Sequence, residues 1–265
     1  MKDLGVLKYF LGLLGARTMH FPMEQNHRLD SSTSTPLQDL ERYRRLVGRL
    51  IYLLFTRPDL SFGVHVLSQF LHEPRQDHGT AALIVVKYFK RSPGQGILLK
   101  IDGDLRLTGW CNFDWANCPL TRRSVSGWIV FLGDSPISWK TKKQAIVFRS
   151  SAETKYRSML AVTCELKWLK GLLKSLGVDH PQPMDLKSDS QSALYLAHNP
   201  VFHERTKHIE IDCHFLQDAI LEGTIRTSNV STNEQLADIF TKSLRRKQFE
   251  FLLRKLGIHD FHAPT

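Results

Sequence analysis

The sequence predicts a mixed α/β protein that begins with a small helical part. Two observations predict this class. Residues 40–92 carry apolar positions at helical spacing, in three stretches that short connections separate. After residue 94, short strand-like stretches interleave with helical patterns in the order strands, helix, strand, helix, strand, helix. A mixed sheet with helices packed on it satisfies that order.

The three helices of the first part are predicted over about 42–55, 59–71 and 77–90. Asp39 suits the N-cap of the first, Pro74 ends the second, and the Ser92-Pro-Gly stretch ends the third. Their basic side chains are candidates for phosphate contacts, with a solvated helix face as the alternative. These side chains are Arg42, Arg44, Arg45, Arg49, Arg57, Lys87, Lys90 and Arg91.

The remaining elements follow from the period of the apolar residues. Strands are predicted over Ile97–Ile101, Leu105–Phe113, Ser126–Leu132, Ile137–Lys140, Ala145–Phe148, Met184–Ser188 and Thr224–Val230. Helices are predicted over Ala152–Leu176, from Ser190, over about Glu204–Glu222, and over Glu234–Leu244 and Lys247–Leu256. Residues 1–17 form an amphipathic piece, and 18–39 have no periodicity and predict a linker.

The charge balance favours a polyanionic partner. The chain has 265 residues, with 36 Lys and Arg against 26 Asp and Glu, a formal net charge of +10. Nucleic acid is the commonest such partner, and solubility charge is the alternative. Four cysteines without paired spacing predict reduced thiols. We expect an intracellular protein (cytoplasm or nucleus) with no signal peptide or transmembrane segment; its oligomeric state stays open.

A single carboxylate, Asp114, lies between two aromatic residues in the stretch Gly109–Cys118, at the end of a predicted strand. Two more isolated aspartates, Asp189 and Asp238, lie beside predicted strand or helix ends. Hard cations such as Mg²⁺ need oxygen ligands. Carboxylates on separate elements of a basic protein therefore favour a metal-dependent nucleic-acid enzyme.

Long motifs in this chain resemble, in the same order, the end of the reverse transcriptase and the ribonuclease H domain of copia-type retrotransposon Pol polyproteins. The motifs on the polymerase side are residues 1–12, 39–53 and Thr56–Phe62. The ribonuclease H motifs are Leu105–Leu132, Ser150–Glu153, Cys164–Leu169, Asp189–Ala193, Asn199–Phe215 and Gln235–Lys242. The resemblance implies a ribonuclease H-like mixed sheet with flanking helices, preceded by a small helical reverse-transcriptase remnant.

The resemblance also implies four parts. Residues 1–39 correspond to a truncated reverse-transcriptase remnant and linker, and 40–93 to a three-helix segment that follows the polymerase core. Residues 94–245 correspond to the ribonuclease H-like domain, and 246–265 to a C-terminal helix and tail. The Tyr-x-Asp-Asp motif of the family's polymerase does not occur in this sequence. We therefore expect no DNA polymerisation by this chain.

In the family, four carboxylates bind two Mg²⁺ ions for cleavage of RNA–DNA hybrids. The corresponding positions here are Asn112, Lys155, Asp189 and Asp238, so two are substituted and two retained. Asn112 contributes no charge, Lys155 contributes +1 and each aspartate −1, which totals −1 where four carboxylates give −4. Like charges about 4 Å apart repel by about 4 kcal/mol at an effective dielectric of 20. We expect Asp189 and Asp238 to bind Mg²⁺ poorly and cleavage to be lost.

Three functions remain open. The first is a decayed polyprotein fragment, catalytically inactive, that retains weak binding of RNA–DNA hybrid or duplex. The second is an active Mg²⁺-dependent hybrid ribonuclease that uses Asp114, which lies on the face of Asn112 but about 7 Å further along the strand. The third is a translated relic without function. Phosphate contacts are predicted for Arg122, Arg123, Lys140, Lys142 and Lys143.

Two weaker patterns have simpler explanations. A zinc site would use His203, His208, Cys213 and His214, but no second ligand cluster has the usual spacing, and the resemblance places this segment in the nuclease fold. The tryptophans could stack on bases, but their strand and helix spacing favours the core. They are Trp110, Trp115, Trp128, Trp139 and Trp168.

Overall fold

The structure, a computed structural model, describes residues 17–100, 103–115, 121–147, 151–199 and 210–261. These residues form two compact units. The first comprises 17–97, 243–254 and 258–261; the second comprises 98–242, with the gaps just given, and 255–257. The predicted amphipathic piece lies outside the described residues, apart from Arg17. The predicted division into four parts stays a prediction.

Helices dominate the first unit. They are α1 (Leu40–Leu53), α2 (Ser61–Ser68), α3 (Gln76–Arg91) and α7 (Arg246–Lys255), whose last residue belongs to the second unit. Short 3₁₀ turns cover Leu29–Ser31 and Pro58–Leu60. Strand β1 (Gln95–Ile97) pairs antiparallel with β7 (Ile258–Asp260). The three predicted helices therefore exist, and the Asp39 carboxylate caps α1 by accepting a hydrogen bond from the backbone of Arg42 at 2.8 Å.

Arg57 does not track phosphates, contrary to the prediction, because its side chain is buried, with 1% of the residue exposed. Its guanidinium donates to the Asp59 carboxylate from Nε at 3.0 Å and from Nη2 at 2.8 Å, and Nη1 donates to the Ser92 carbonyl at 3.1 Å. The Tyr88 hydroxyl donates to Asp59 Oδ2 at 2.7 Å. A buried ion pair with its hydrogen bonds satisfied thus joins α3 to the start of α2.

A five-stranded mixed sheet forms the centre of the second unit. Its strands are β2 (Leu107–Asp114), β3 (Val125–Leu132), β4 (Ser135–Lys143), β5 (Met184–Ser188) and β6 (Ile225–Asn229). The order across the sheet is β4-β3-β2-β5-β6. The chain forms an antiparallel meander from β2 to β4, and β5 and β6 then add parallel to β2.

The core of this unit lies between the sheet and three helices, α4 (Ser151–Ser175), α5 (Gln191–His198) and α6 (Glu210–Leu221). Helix α4 lies directly against β2. A Cβ built on Gly109 would lie only 2.5 Å from Val162 Cγ1, so only glycine allows this approach. The predicted mixed α/β sheet with flanking helices is confirmed, and so is a helical unit before it.

Three predicted elements are wrong. Residues 98–100 form no strand, because the short β1 before them pairs with the distant β7. Residues 145–147 are exposed and irregular, since β4 already ends at Lys143. The predicted helix Glu234–Leu244 is reduced to a 3₁₀ turn over Leu236–Phe240 after another over Thr232–Glu234. No helix among the described residues is long and apolar enough to span a membrane.

Candidate functional site

One part of the candidate site, around Asn112 and Asp238, lies on the sheet face opposite α4, and the other part involves the start of α4 itself. Successive residues of a strand point to opposite faces, and Gly109 of β2 faces α4. Asn112 and Asp114 therefore point to the other face. On that face the 3₁₀ turn Leu236–Phe240 packs closely against β3. The approach is so close that a Cβ built on Gly127 would lie 2.5 Å from Phe240 Cβ. The close approach brings Asp238 within reach of β2.

Asn112 contacts Asp238 directly. The buried Asn112 amide Nδ2 donates hydrogen bonds to Asp238 Oδ1 and, at 3.0 Å, to Thr241 Oγ1. The Thr141 hydroxyl of β4 donates to the Phe240 carbonyl at 2.9 Å, which removes an acceptor that a longer α-helix would use. The 3₁₀ turn therefore ends at Phe240, and it holds Asp238 Oδ1 against the side-chain amide of Asn112.

Lys155 contacts Asp189. Lys155 lies in the first turns of α4, and Asp189 follows the last residue of β5. The ammonium Nζ lies 3.4 Å from Asp189 Oδ1, and the carboxylate is almost fully buried. Both substituted positions predicted from the sequence therefore meet the two retained aspartates, one pair each.

Lys242 is a site residue that the sequence-based prediction omitted. Its ammonium lies 2.8 Å from Asp238 Oδ2, and the backbone N–H of Lys242 donates to the Asp238 carbonyl at 3.2 Å. The spacing of four residues between an acid and a base was the signal that could have revealed this pair. Both oxygens of Asp238 thus have a hydrogen-bond donor.

Burial raises the pKa of the Asp238 carboxyl to about 6, although the hydrogen bond and charge of Lys242 act to lower it. The neighbouring carboxylates Asp189 and Asp114 raise this pKa further. Asp114 is half-buried and lies within electrostatic range of Asp238. Burial also raises the pKa of the Cys111 thiol, next to Asn112, to about 12, so this cysteine is no nucleophile at neutral pH.

The predicted phosphate-binding residues lie on both faces of the sheet. Lys140 and Lys142 are opposite Trp128 and Ser126 of β3, on the α4 face, and both are exposed. Lys143 is half-buried and points to the face of Asn112, in the same row as Asp114. Arg122 and Arg123 are exposed in the loop before β3. The structure therefore does not gather these five side chains into one patch.

The remaining sequence-based candidates give no further site. Among the tryptophans only Trp128 is in the core; Trp115 and Trp168 are exposed, and Trp110 and Trp139 are half-buried. His203 and His208 lie outside the described residues, as does the Cys213 side chain, while His214 is exposed. Within the described part of the chain, no group of three or more His, Cys, Asp or Glu side chains is arranged to hold a metal ion.

Comparison with known proteins gives extensive matches. The chain is 43% identical over 246 residues to the retrovirus-related Pol polyprotein from transposon RE2 of Arabidopsis thaliana, covering 93% of this chain and 17% of the polyprotein. The corresponding polyprotein from transposon RE1 is 41% identical over 257 residues, with 95% and 18% covered. No protein-family model matches the chain.

Among solved structures, the N-terminal ribonuclease H domain of a Mycobacterium tuberculosis protein, fused to maltose-binding protein, is 11% identical. It covers 57% of this chain and 98% of that chain with a TM-score of 0.37, which is too low to establish a shared fold. The polyprotein matches extend along almost the whole chain, although the chain spans less than a fifth of their length. The chain belongs to the family of copia-type retrotransposon Pol polyproteins, of which it corresponds to a segment.

Proposed function

We propose that the second unit is a ribonuclease H-like, nucleic-acid-binding domain that has lost metal-dependent cleavage. One observation carries the proposal: each retained aspartate has a lysine ammonium as its counterion. Lys155 pairs with Asp189 and Lys242 with Asp238. The resemblance implies Mg²⁺ beside these aspartates during catalysis, so ammonium groups of the protein itself would compete with the metal ions.

The residues present do not fit Mg²⁺. Hard cations need several oxygen ligands around them. Asp238 has an amide on one oxygen and an ammonium on the other, and Asn112 presents its Nδ2 to this carboxylate. With Lys242 included, the two lysines balance Asp189 and Asp238, Asn112 is neutral, and the nearby Asp114 adds one negative charge. A divalent cation would have to displace both ammonium groups or approach within a few ångströms of them, at a cost of several kcal/mol.

Nucleic-acid binding is supported by exposed cations that no ion pair among the described contacts neutralises. Lys140 and Lys142 project from the edge strand β4, and Arg122 and Arg123 lie in the loop before β3. Lysine and arginine contacts to phosphate supply affinity without sequence preference. We infer that RNA–DNA hybrid or duplex binds weakly, with an affinity that falls steeply as salt rises.

A second candidate is an active hybrid ribonuclease with an altered ligand set. Its support is the position of Asp114, which points to the face of Asn112 and raises the pKa of Asp238. Three carboxylates, Asp114, Asp189 and Asp238, would then share the metal. The two lysine counterions weigh against this set, and the experiment below separates the two candidates.

The experiment incubates the full chain with a labelled RNA–DNA hybrid and Mg²⁺ or Mn²⁺. We expect no cleavage above that of Asp189→Asn, and we expect the double variant Asn112→Asp/Lys155→Glu to gain metal-dependent cleavage, because it replaces both lost carboxylates. Cleavage by the unaltered chain that disappears in both Asp114→Asn and Asp189→Asn would establish the second candidate and overturn the first.

A binding measurement completes the test. The affinity for uncleaved hybrid should fall with rising salt, and Lys140→Gln/Lys142→Gln should reduce both affinity and salt dependence. Each lost phosphate contact changes the salt slope by about 0.9 for a duplex. Lys170→Gln/Lys174→Gln on α4 removes the same charge elsewhere in the unit and serves as the control. An affinity insensitive to salt would contradict phosphate binding.

A further inference from the structure

One exposed strip along α1 carries three arginines and ends in two aromatic rings, Tyr52 inside the helix and Phe55 two residues after its end. In α1, Tyr43, Leu46, Val47, Leu50 and Leu53 are buried, which sets the inner face. Arg42, Arg45, Arg49 and Tyr52 lie within an arc of about 80° beside it, because each residue advances about 100° around an α-helix. We call Arg42, Arg45, Arg49, Tyr52 and Phe55 the α1 strip.

The aromatic end of the α1 strip is unusually exposed. Tyr52 is 79% exposed and Phe55 is 75% exposed. Their ring centroids lie 6.2 Å apart with an angle of 60° between the ring planes. Rings this exposed contribute little to the core, and they offer π-faces on which planar groups can stack.

The charge of α1 is one-sided. The helix contains four arginines and one glutamate, a net charge of +3. Arg44 is used inside the unit, since its Nε donates to the Leu71 carbonyl at 2.9 Å. Arg42, Arg45 and Arg49 have exposed side chains spread over about 10 Å of helix length, and Arg45 Nη1 also lies 4.0 Å from the carboxylate of Glu41. A partner of this surface must therefore carry negative charge along its length.

We propose that the α1 strip binds single-stranded nucleic acid, with phosphates on the arginines and bases stacked on Tyr52 and Phe55. A basic track that ends in exposed aromatic rings is the combination that binds single strands, because unpaired bases have accessible faces. A duplex keeps its bases stacked on one another and leaves both rings without a partner. This site is on the first unit, and it is independent of the binding proposed for the second unit.

The test measures the affinity of the full chain for a labelled oligothymidine and for a duplex of the same length, by fluorescence anisotropy over a range of salt. The triple variant Arg42→Gln/Arg45→Gln/Arg49→Gln should weaken oligothymidine binding and lower the salt slope by about 2, since each contact to a single strand contributes about 0.7. Arg245→Gln/Lys247→Gln/Arg254→Gln removes the same charge from exposed positions elsewhere and should leave the slope nearly unchanged.

The aromatic contribution is tested separately. Tyr52→Ala should weaken oligothymidine binding about tenfold, and Tyr52→Phe should bind like the unaltered chain, because stacking needs the ring and not the hydroxyl. Tyr195→Ala, at a tyrosine that is 59% exposed on α5, is the matched control. Equal affinities for Tyr52→Ala and Tyr195→Ala would overturn the proposal, and so would a loss of duplex affinity in Tyr52→Ala as large as its loss of oligothymidine affinity. Retained duplex binding by the triple arginine variant would leave the proposal for the second unit intact.

Discussion

At the residue scale, the partner of each charged side chain decides its role. Lys155, which the sequence predicts at a family carboxylate position, lies 3.4 Å from Asp189, and its residue type alone does not reveal this contact. Arg57 is one basic residue among many in the sequence, yet it is buried against Asp59. In both places a charge is compensated inside the protein. Neither side chain is available in the way that its residue type suggests.

The Arg57–Asp59 pair gives the first prediction. Asp59→Asn leaves the buried guanidinium without a counterion, so the free energy of unfolding should fall by about 3–5 kcal/mol. The double variant Arg57→Met/Asp59→Asn should lose less than the two single variants added together, because it removes the unpaired charge. Urea unfolding measures all three variants.

The matched control is the surface pair Lys100–Asp134, in which Nζ lies 2.7 Å from Oδ2 and both side chains are more than half exposed. Asp134→Asn should cost less than about 1 kcal/mol, since solvent screens an exposed pair. Similar losses for Asp59→Asn and Asp134→Asn would show that the Arg57 pair is not buried in solution.

At the element scale, packing against the sheet sets where the 3₁₀ turn Leu236–Phe240 lies. Gly127 of β3 leaves room for the backbone of the turn, and Thr141 of β4 supplies a donor to its last carbonyl. The apolar spacing of Glu234–Leu244 is that of a helix, but contacts from two strands interrupt it. Asp238 is positioned by this turn and not by a helix.

Gly127→Ala tests that packing and is the second prediction. The added Cβ would lie 2.5 Å from Phe240 Cβ and 2.8 Å from Thr241 Cγ2, so the turn must shift, and the protein should lose about 1–3 kcal/mol. Gly171→Ala, inside α4 where nothing lies within 4 Å, should instead gain about 0.5–1 kcal/mol from helix propensity. Thermal melting should show a lower melting temperature for Gly127→Ala and a higher one for Gly171→Ala. A lower melting temperature for both variants would contradict the prediction.

At the scale of the whole molecule, two lysine ammonium groups lie beside the two aspartates of the second unit. The chain has a net charge of +10, and two of its lysines neutralise buried carboxylates of the second unit. The stability of the folded chain should therefore be independent of Mg²⁺. A family site with four carboxylates would depend on the metal to offset repulsion between them.

This independence is the third prediction. The melting temperature of the unaltered chain should be the same in EDTA and in about 10 mM Mg²⁺ at matched ionic strength, since a ligand that does not bind the native state adds no stability. Asn112→Asp/Lys155→Glu should melt lower in EDTA and recover with Mg²⁺. A Mg²⁺-dependent rise for the unaltered chain that Asp189→Asn removes would contradict the prediction.

The sequence by itself determined the elements whose signal is local. The apolar period predicted α1, α3 and α4 and the strands β2, β3 and β5, because each pattern lies within one continuous segment. The long motifs also predicted the family, which the polyprotein matches confirm. The same motifs predict that Asn112 and Lys155 replace family carboxylates, and this stays a prediction.

Only the tertiary structure decided which distant residues meet. It paired β1 with β7, ended the turn at Phe240, buried Arg57 and placed Lys155 beside Asp189. Asn112 and Asp238 are 126 residues apart and share one hydrogen bond. Local periodicity reports which face of an element is apolar, whereas the partner of a buried polar group depends on how the elements pack. For that reason the tertiary structure was needed to show that Lys155 lies beside Asp189 and that Asn112 contacts Asp238.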